Sequence, residues 1–203
     1  IVSQTSIDDP DEQRIHSVGR PLWNVEVRIV DPNGDQIVGI GLEGEIQVRG
    51  YQTMIGYFNA PQETRETITA DGWLRTGDLG AMDEAGYLRI TGRLKDMIIR
   101  GGENIYPAEV EACLLRHPAV ADISVFGAPD DKWGEVVAAA IRQAPDVPVT
   151  AAELSAFCKA AIAPHKAPTV WYACTGFPLT ASGKIQKFRL RDAAVGGELQ
   201  HLS

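Results

Sequence analysis

The sequence predicts an α+β fold in which a β-barrel-like unit of short strands precedes a small mixed α+β domain. The first half contains short alternating apolar segments separated by turns rich in Gly, Pro, Asp and Asn. Longer amphipathic helices appear only after residue 107, where they alternate with apolar strand segments. Between the halves, residues 92–96 carry charges with no period that would bury them. We therefore divide the chain into residues 1–91, a joint at 92–96, and residues 97–203.

The elements of the first half are strands and turns. Residues 1–20 are polar and rich in Asp, and are expected to form a surface loop. Residues 23–30 and 45–49 alternate apolar and polar side chains, which is typical of half-buried strands. One or two helical turns are expected over 61–68 and short strands at 73–74 and 87–91. Short strands in this order indicate a barrel or a distorted sandwich.

The second half mixes helices and strands. Residues 97–99 form a short strand candidate that precedes a Gly-Gly turn, and Pro107 suits the first position of a helix over 107–116. Thr150 and Glu153 form a capping box that begins a second helix. Further strands are expected at 120–126, 136–141 and 169–174, and a loop at 177–186 leads to a final helix over 188–194.

Composition excludes several functional classes. The chain has 203 residues and a net charge of −8, and it contains no basic stripe, which argues against nucleic-acid binding. No apolar run is long enough to span a bilayer. The three cysteines lack metal-ligand spacing, and Cys113 and Cys158 fall on apolar helix positions. These features indicate the cytoplasm or another reducing compartment. The four histidines share no spacing typical of a metal site or a catalytic triad.

Two motifs around the joint carry candidate binding residues. Asp78 follows Thr76-Gly77, where its carboxylate could accept bonds from the vicinal hydroxyls of a ribose or could close an Asx-turn. Local sequence favours the turn. Arg93 and Lys95 place two cations at the joint, where they could meet a nucleotide or form a solvated loop.

Two further motifs lie in the second half. Gly101, Gly102 and Glu103 could line a narrow channel or form a plain turn, and the turn is the simpler interpretation. Lys184 lies on a loop of small residues and could neutralise a phosphate or a carboxylate, although a lone exposed lysine is commoner. The loop is not a Walker motif, because Pro178 and Ile185 occupy its required Gly and Ser/Thr positions.

Taken together, these motifs resemble the C-terminal motifs of the adenylate-forming acyl-CoA synthetases. The resemblance rests on four segments in the family's order and spacing and extends from about Ser17 to the last helix. Residues 99–106 and 184–188 are most similar to those of medium- and long-chain fatty-acid ligases. The segments are Trp-Leu-Arg-Thr-Gly-Asp-Leu at 73–79, Gly-Arg-Leu-Lys-Asp-Met-Ile at 92–98, Gly-Gly-Glu-Asn-Ile-Tyr-Pro at 101–107, and Pro-Leu-Thr-Ala-Ser-Gly-Lys at 178–184.

The resemblance implies a two-step reaction in which ATP and a carboxylic acid give an acyl-adenylate, whose acyl group then passes to CoA. It implies that Asp78 and Arg93 contact the ribose of the nucleotide. Lys95 occupies the hinge position of such enzymes, about which residues 97–203 would rotate between the two steps. Lys184 matches the lysine used for adenylation. Gly101–Glu103 would border the channel for the pantetheine of CoA.

The resemblance also defines what this sequence lacks. The family's phosphate loop and its Tyr-Gly-x-Thr-Glu segment, which supply the pyrophosphate grip, the Mg²⁺ ligand and the acyl pocket, should lie before residue 1. The chain, which does not begin with Met, is thus expected to be a fragment that is inactive alone and works with the missing N-terminal domain. Alternatives are an aryl-acid ligase, a carrier-loading adenylation domain, and a non-catalytic interaction or regulatory module.

Overall fold

The computed structural model describes residues 1–203, which form two compact units, Ile1–Lys95 and Asp96–Ser203. The α+β class predicted from the sequence is confirmed. The first unit contains β1 (Ser3–Gln4), α1 (Asp11–His16), β2 (Arg20–Pro21), β3 (Val25–Val30), β4 (Gly44–Gly50), α2 (Pro61–Thr67), β5 (Leu74–Met82) and β6 (Leu88–Arg93). The second contains β7 (Ile98–Arg100), β8 (Glu103–Ile105), α3 (Pro107–Leu114), β9 (Val120–Asp130), β10 (Gly134–Gln143), α4 (Ala151–Ala161), β11 (Val170–Ala173), α5 (Lys187–Val195) and β12 (Gln200–His201).

The first unit is built on an antiparallel sheet with the order β3-β4-β5-β6, and β1 and β2 form a separate pair. The sheet is open. Its short strands agree with the prediction, but they do not close into a barrel. It has four strands, and its edge strands β3 and β6 do not pair with each other. Residues 11–16, expected in a loop, form the short helix α1.

The centre of this sheet is buried on both faces. Ile46 and Val48 of β4 pack in an apolar cluster with Ile29 and Leu88. On the other face, Glu45 and Gln47 are buried although the alternation of β4 expects them on a polar face. The polar groups of both side chains are hydrogen-bonded: Arg28 donates to Gln47 at 2.9 Å, and Gln47 donates to Glu45 at 3.1 Å.

The sheet of the second unit is organised around β10. The strand β9 pairs with one edge of β10 as a long antiparallel hairpin, while β7 and the parallel strand β11 pair with it elsewhere. The side chains of β10 alternate between two cores. Val137, Ala139 and Ile141 belong to the core that includes Val110 of α3 and Leu154 of α4, whereas its other apolar residues meet Tyr172 and Leu190.

The helices of the second unit begin where the sequence predicts. Pro107 is the first residue of α3, and the capping box of α4 is present with both of its reciprocal bonds. Cys113 and Cys158 are buried in the core between α3 and α4, as their apolar positions predict. Among the helices of the structure, none combines the length and the apolar character needed to cross a membrane.

Candidate functional site

Asp78 and Arg93 face each other across two neighbouring strands of the first unit. The register of β5 and β6 makes them direct partners, and Arg93 Nε lies 3.3 Å from Asp78 Oδ1. The guanidinium side chain is 51% exposed and the carboxylate side chain 36% exposed. The pair is thus anchored by backbone pairing, yet both side chains remain accessible to a ligand.

The turn chemistry beside Asp78 is supplied by Thr76. The Thr76 hydroxyl donates to the carbonyl of Ile46 at 2.6 Å and accepts the backbone N–H of Asp78 at 3.1 Å. Gly77 has a φ of +71°, which favours glycine because a Cβ crowds the backbone there. The side chain that accepts a backbone N–H in this turn is thus that of Thr76, whereas the Asp78 carboxylate pairs with Arg93.

Glu45 is a residue of this region that the sequence reasoning missed. Its buried carboxylate accepts the Gly77 N–H at 3.2 Å and lies 3.7 Å from Arg75 Nη1. It therefore fixes the segment that presents Asp78. Glu45 and Gln47 lie two positions apart in an apolar strand, so they share one face of the sheet. If that strand is central, both side chains are buried and need hydrogen-bond partners on neighbouring strands, and this spacing was the signal in the sequence.

A cavity of about 510 Å³ opens beside the Asp78–Arg93 pair. Lys95 lies at the cavity and is exposed, in a 3₁₀ turn that follows β6. The volume falls within the range of small-molecule sites. The structure thus brings together three of the predicted site residues. The cavity is lined by Thr76, Gly77, Asp78, Arg93, Leu94 and Lys95.

In the second unit, Gly101 and Gly102 form the two-residue turn between β7 and β8. Their φ values are +59° and +90°, as in the hairpin turns that favour two glycines. A Cβ on Gly101 would lie 2.7 Å from the ring of Trp133, so this position excludes side chains. Glu103 is exposed at the start of β8. The simpler interpretation of this motif, a turn, is what the backbone shows.

Lys184 is exposed on a different loop of the second unit. The loop closes on itself, because the Thr180 N–H donates to the Lys184 carbonyl at 2.8 Å and the Gln186 N–H donates to the Pro178 carbonyl at 2.8 Å. Leu179 and Ile185 form an isolated antiparallel bridge. Lys184 and Gly101–Glu103 thus lie on two separate loops of the second unit, whereas Asp78, Arg93 and Lys95 belong to the first unit.

The second unit also contains a buried thiol, that of Cys158. Burial, and then the neighbouring thiol of Cys113, raise the pKa of Cys158 to about 12, so this thiol stays protonated at neutral pH. Across residues 1–203, no group of His, Cys, Asp and Glu side chains has the arrangement of a metal site.

Comparison with protein families defines the class of protein. The model of AMP-binding enzymes matches residues 1–58, and the model of the AMP-binding enzyme C-terminal domain matches residues 109–184. Together the two matches cover most of the chain and fall in different units. The chain therefore belongs to the AMP-binding, or adenylate-forming, enzymes and corresponds to a C-terminal part of them.

Two curated relatives of this chain are acyl-CoA synthetases or ligases by name. YngI of Bacillus subtilis (strain 168), an acyl-CoA synthetase by name, is 50% identical over 96% of this chain and 36% of its own length. The mitochondrial medium-chain acyl-CoA ligase ACSF2 of Mus musculus is 47% identical over 91% of this chain and 30% of its own length. The chain thus spans about a third of these relatives.

A solved structure has the same fold. The o-succinylbenzoate CoA synthetase MenE of Bacillus subtilis, in complex with its acyl-adenylate intermediate, is 41% identical to this chain. Its TM-score is 0.78, over 89% of this chain and 36% of the MenE chain. The family resemblance inferred from the four motifs is therefore confirmed.

Proposed function

We propose that this chain is part of an ATP-dependent fatty-acid–CoA ligase. Such an enzyme joins a fatty acid to ATP with release of pyrophosphate, and then transfers the acyl group from the adenylate to the thiol of CoA. The observation that carries the proposal is the accessible Asp78–Arg93 pair beside a cavity of about 510 Å³. The named activities of YngI and ACSF2 support the reaction type, and the medium-chain name of ACSF2 supports the fatty-acid class.

The first unit supplies the nucleotide contacts in this proposal. The Asp78 carboxylate is an acceptor for two vicinal ribose hydroxyls, and Arg93 is a donor to the oxygens of the same nucleotide. The acyl-adenylate bound in MenE supports a nucleotide ligand of this kind. Lys95 lies next to the unit boundary at 95/96, and residues 92–96 are proposed as the hinge between residues 1–91 and 97–203.

Lys184 supplies charge for the first half-reaction. Adenylation builds negative charge on the carboxylate and on the α-phosphate, and a positioned ammonium stabilises that charge in the transition state. The second half-reaction, thioester formation, needs a path for the thiol instead. The side-chain-free turn at Gly101 and Gly102, followed by Glu103, is proposed to border that path for pantetheine.

The Mg²⁺ of the reaction is proposed to bind outside these residues. Within residues 1–203 the acidic side chains do not form a metal site, so they do not fit a magnesium ion. The phosphate loop, the magnesium carboxylate and the acyl pocket are accordingly assigned to a further domain of the same protein.

The test separates the two half-reactions in the protein as its gene encodes it. For Lys184→Ala we expect the rate of ATP–pyrophosphate exchange with a fatty acid to fall by roughly 10²–10³-fold, since a developing charge loses its partner. Transfer to CoA from added acyl-adenylate should be retained. Lys159→Ala, which removes an exposed lysine from α4, is the control. Unchanged exchange in Lys184→Ala would contradict the proposal.

The acid substrate is a separate question with a second candidate. MenE, which acts on an aromatic acid by name, is 41% identical to this chain, and this favours an aryl-acid ligase as the alternative. Exchange should be measured with medium- and long-chain fatty acids and with benzoate-type acids. The highest kcat/KM with a fatty acid supports the proposal, and the highest value with an aromatic acid establishes the alternative.

A further inference from the structure

The loop that carries Lys184 is attached to the body of the second unit through Lys187, the first residue of α5. Lys187 Nζ lies 2.6 Å from Oε1 of Glu111 and 2.9 Å from the carbonyl oxygen of Val125. The same Glu111 oxygen accepts the Val125 N–H at 2.8 Å. One ammonium, one carboxylate and the backbone N–H and C=O of Val125 thus connect α5 to α3 and β9.

The Lys187–Glu111 pair is less exposed to solvent than the other lysine ion pair of the second unit, Lys166–Glu109. The side chains of Lys187 and Glu111 are 20% and 21% exposed. Charge-assisted bonds gain strength where water is partly excluded, and the geometry here saturates one carboxylate oxygen with two donors. The start of α5 therefore has a defined position on the sheet.

The Lys184 loop itself has internal bonds that fix its shape but not its orientation. The bonds between Thr180 and Lys184 and between Gln186 and Pro178 all lie within residues 178–186. Towards the body, Phe177 and Ile185 make apolar contacts with the core under α5, which are not directional. Lys187 follows Lys184 by three residues and makes the directional bonds nearest to the loop, while Arg191, one turn further along α5, lies 3.1 Å from Glu135 of β10.

We propose that Lys187 is a positioning residue for Lys184. The inference rests on the proposed role of Lys184 in adenylation. By holding the root of the loop against Glu111 and Val125, Lys187 fixes where the Lys184 ammonium is presented. Small displacements of a group that stabilises charge cost much of its effect, so the network matters for the first half-reaction and not for the second.

The test variant is Lys187→Met in the gene-encoded protein, which keeps an unbranched apolar side chain but removes the ammonium group. We expect kcat for acyl-adenylate formation to fall by roughly ten- to a hundredfold, with a smaller change in KM for ATP. CoA thioester formation from added acyl-adenylate should be unchanged. Equal loss in both half-reactions would overturn the proposal.

Lys166→Met is the matched control. Lys166 makes a similar pair with Glu109, on the same helix α3, at 2.7 Å, but it lies in a 3₁₀ turn remote in sequence from the Lys184 loop. Losing that pair should lower stability while leaving adenylation in the folded protein intact. If Lys166→Met lowers adenylation as much as Lys187→Met does, Lys187 has only a structural role and the proposal fails.

A double variant separates positioning from stability. In Lys187→Met with Glu111→Gln, no uncompensated carboxylate remains, while the amide oxygen still accepts the Val125 N–H. Thermal stability should recover relative to Lys187→Met alone, and adenylation should stay low. Recovery of adenylation together with stability would overturn the proposal, even if Lys187→Met alone folds poorly.

Lys184→Ala in the same assays distinguishes this inference from the proposed function. Loss of adenylation in Lys184→Ala but not in Lys187→Met rejects the positioning role alone. If Lys184→Ala adenylates normally, the proposed function of Lys184 fails, and the positioning inference fails with it.

Discussion

At the scale of single residues, Asp78 and Arg93 are held weakly enough to exchange partners. Their separation of 3.3 Å and their exposure are those of a surface ion pair, which stabilises a fold by about 0–1 kcal/mol. A ligand that offers hydroxyls to the carboxylate and oxygens to the guanidinium can therefore replace this pair at little cost. The fixed part of the site is the backbone register, not the ion pair.

This leads to a prediction for Asp78→Ala in the gene-encoded protein. If the carboxylate accepts bonds from both ribose hydroxyls, the unmodified enzyme should prefer ATP to its 2′-deoxy analogue. The variant should raise KM for ATP by roughly ten- to a hundredfold, equivalent to a lost charged hydrogen bond of about 1.5–3 kcal/mol. It should also lose the preference for ATP. The measurement is kcat/KM for both nucleotides.

The control for this prediction is Asp35→Ala. Asp35 also forms an ion pair in the first unit, with Arg75 at 2.9 Å, and its side chain is 70% exposed. It does not line the cavity. The ribose interpretation would be rejected if Asp78→Ala kept the same discrimination between ATP and the deoxynucleotide as Asp35→Ala.

The sequence indicated these site residues by type but not their partners. The four motifs gave Asp78, Arg93 and Lys184 candidate roles, yet the pairing of Asp78 with Arg93 depends on the register of β5 and β6. Glu45 was missed because alternation alone does not show that β4 is a central strand. Lys187 was overlooked because its partner Glu111 lies 76 positions away in the sequence.

At the scale of secondary structure, α4 is the element that its local sequence specifies most directly. Glu153 accepts the Thr150 N–H at 2.8 Å, and its own N–H donates to the Thr150 hydroxyl at 3.2 Å. The Thr150 N–H, followed by the Thr150 hydroxyl, lowers the pKa of Glu153 from its usual value of 4.5. The ionised carboxylate is thus the form that caps the helix.

The expected consequence is a stability contribution that depends on pH. Since the pKa of Glu153 is lowered on folding, its contribution is present above 4.5 and is lost as pH falls through the lower folded value. Glu153→Gln should therefore lower the urea midpoint at pH 7, and the difference from the unmodified protein should shrink in acid. Glu198→Gln, at an exposed carboxylate, should show no such pattern. A constant difference at all pH values would contradict the capping role.

Other elements could not be predicted from local sequence, because they depend on pairing with strands that are distant in the sequence. Gly77 indicates a turn, yet β5 continues through it, since a register shift against β4 accommodates two extra residues between Arg75 and Leu79. β12 has only two residues and exists because it pairs with β11. By contrast, β3 was predicted correctly from the alternation that includes Val25 and Ile29. Both side chains are buried on one face of the strand, and a single buried face produces that alternation directly.

At the scale of the whole molecule, the chain forms two compact units and matches only part of the length of its relatives. The chain spans 36% of YngI and 30% of ACSF2, and its acidic residues form no metal site. We therefore expect the 203-residue polypeptide, expressed alone, to show no ATP–pyrophosphate exchange above background. The gene-encoded protein, assayed in parallel with the same acids, is the positive control. Robust exchange by the 203-residue polypeptide would refute this expectation.

The hairpin of β9 and β10 also has a consequence for the order in which the second unit is made. Its strands are joined by residues 131–133, so it can form soon after it leaves the ribosome. The parallel partner β11 follows only after α4 has been synthesised. Until then, the edge of β10 at Ala138–Ile141 offers unpaired peptide groups on an apolar strand. During this interval the nascent chain is open to pairing with other chains along that edge.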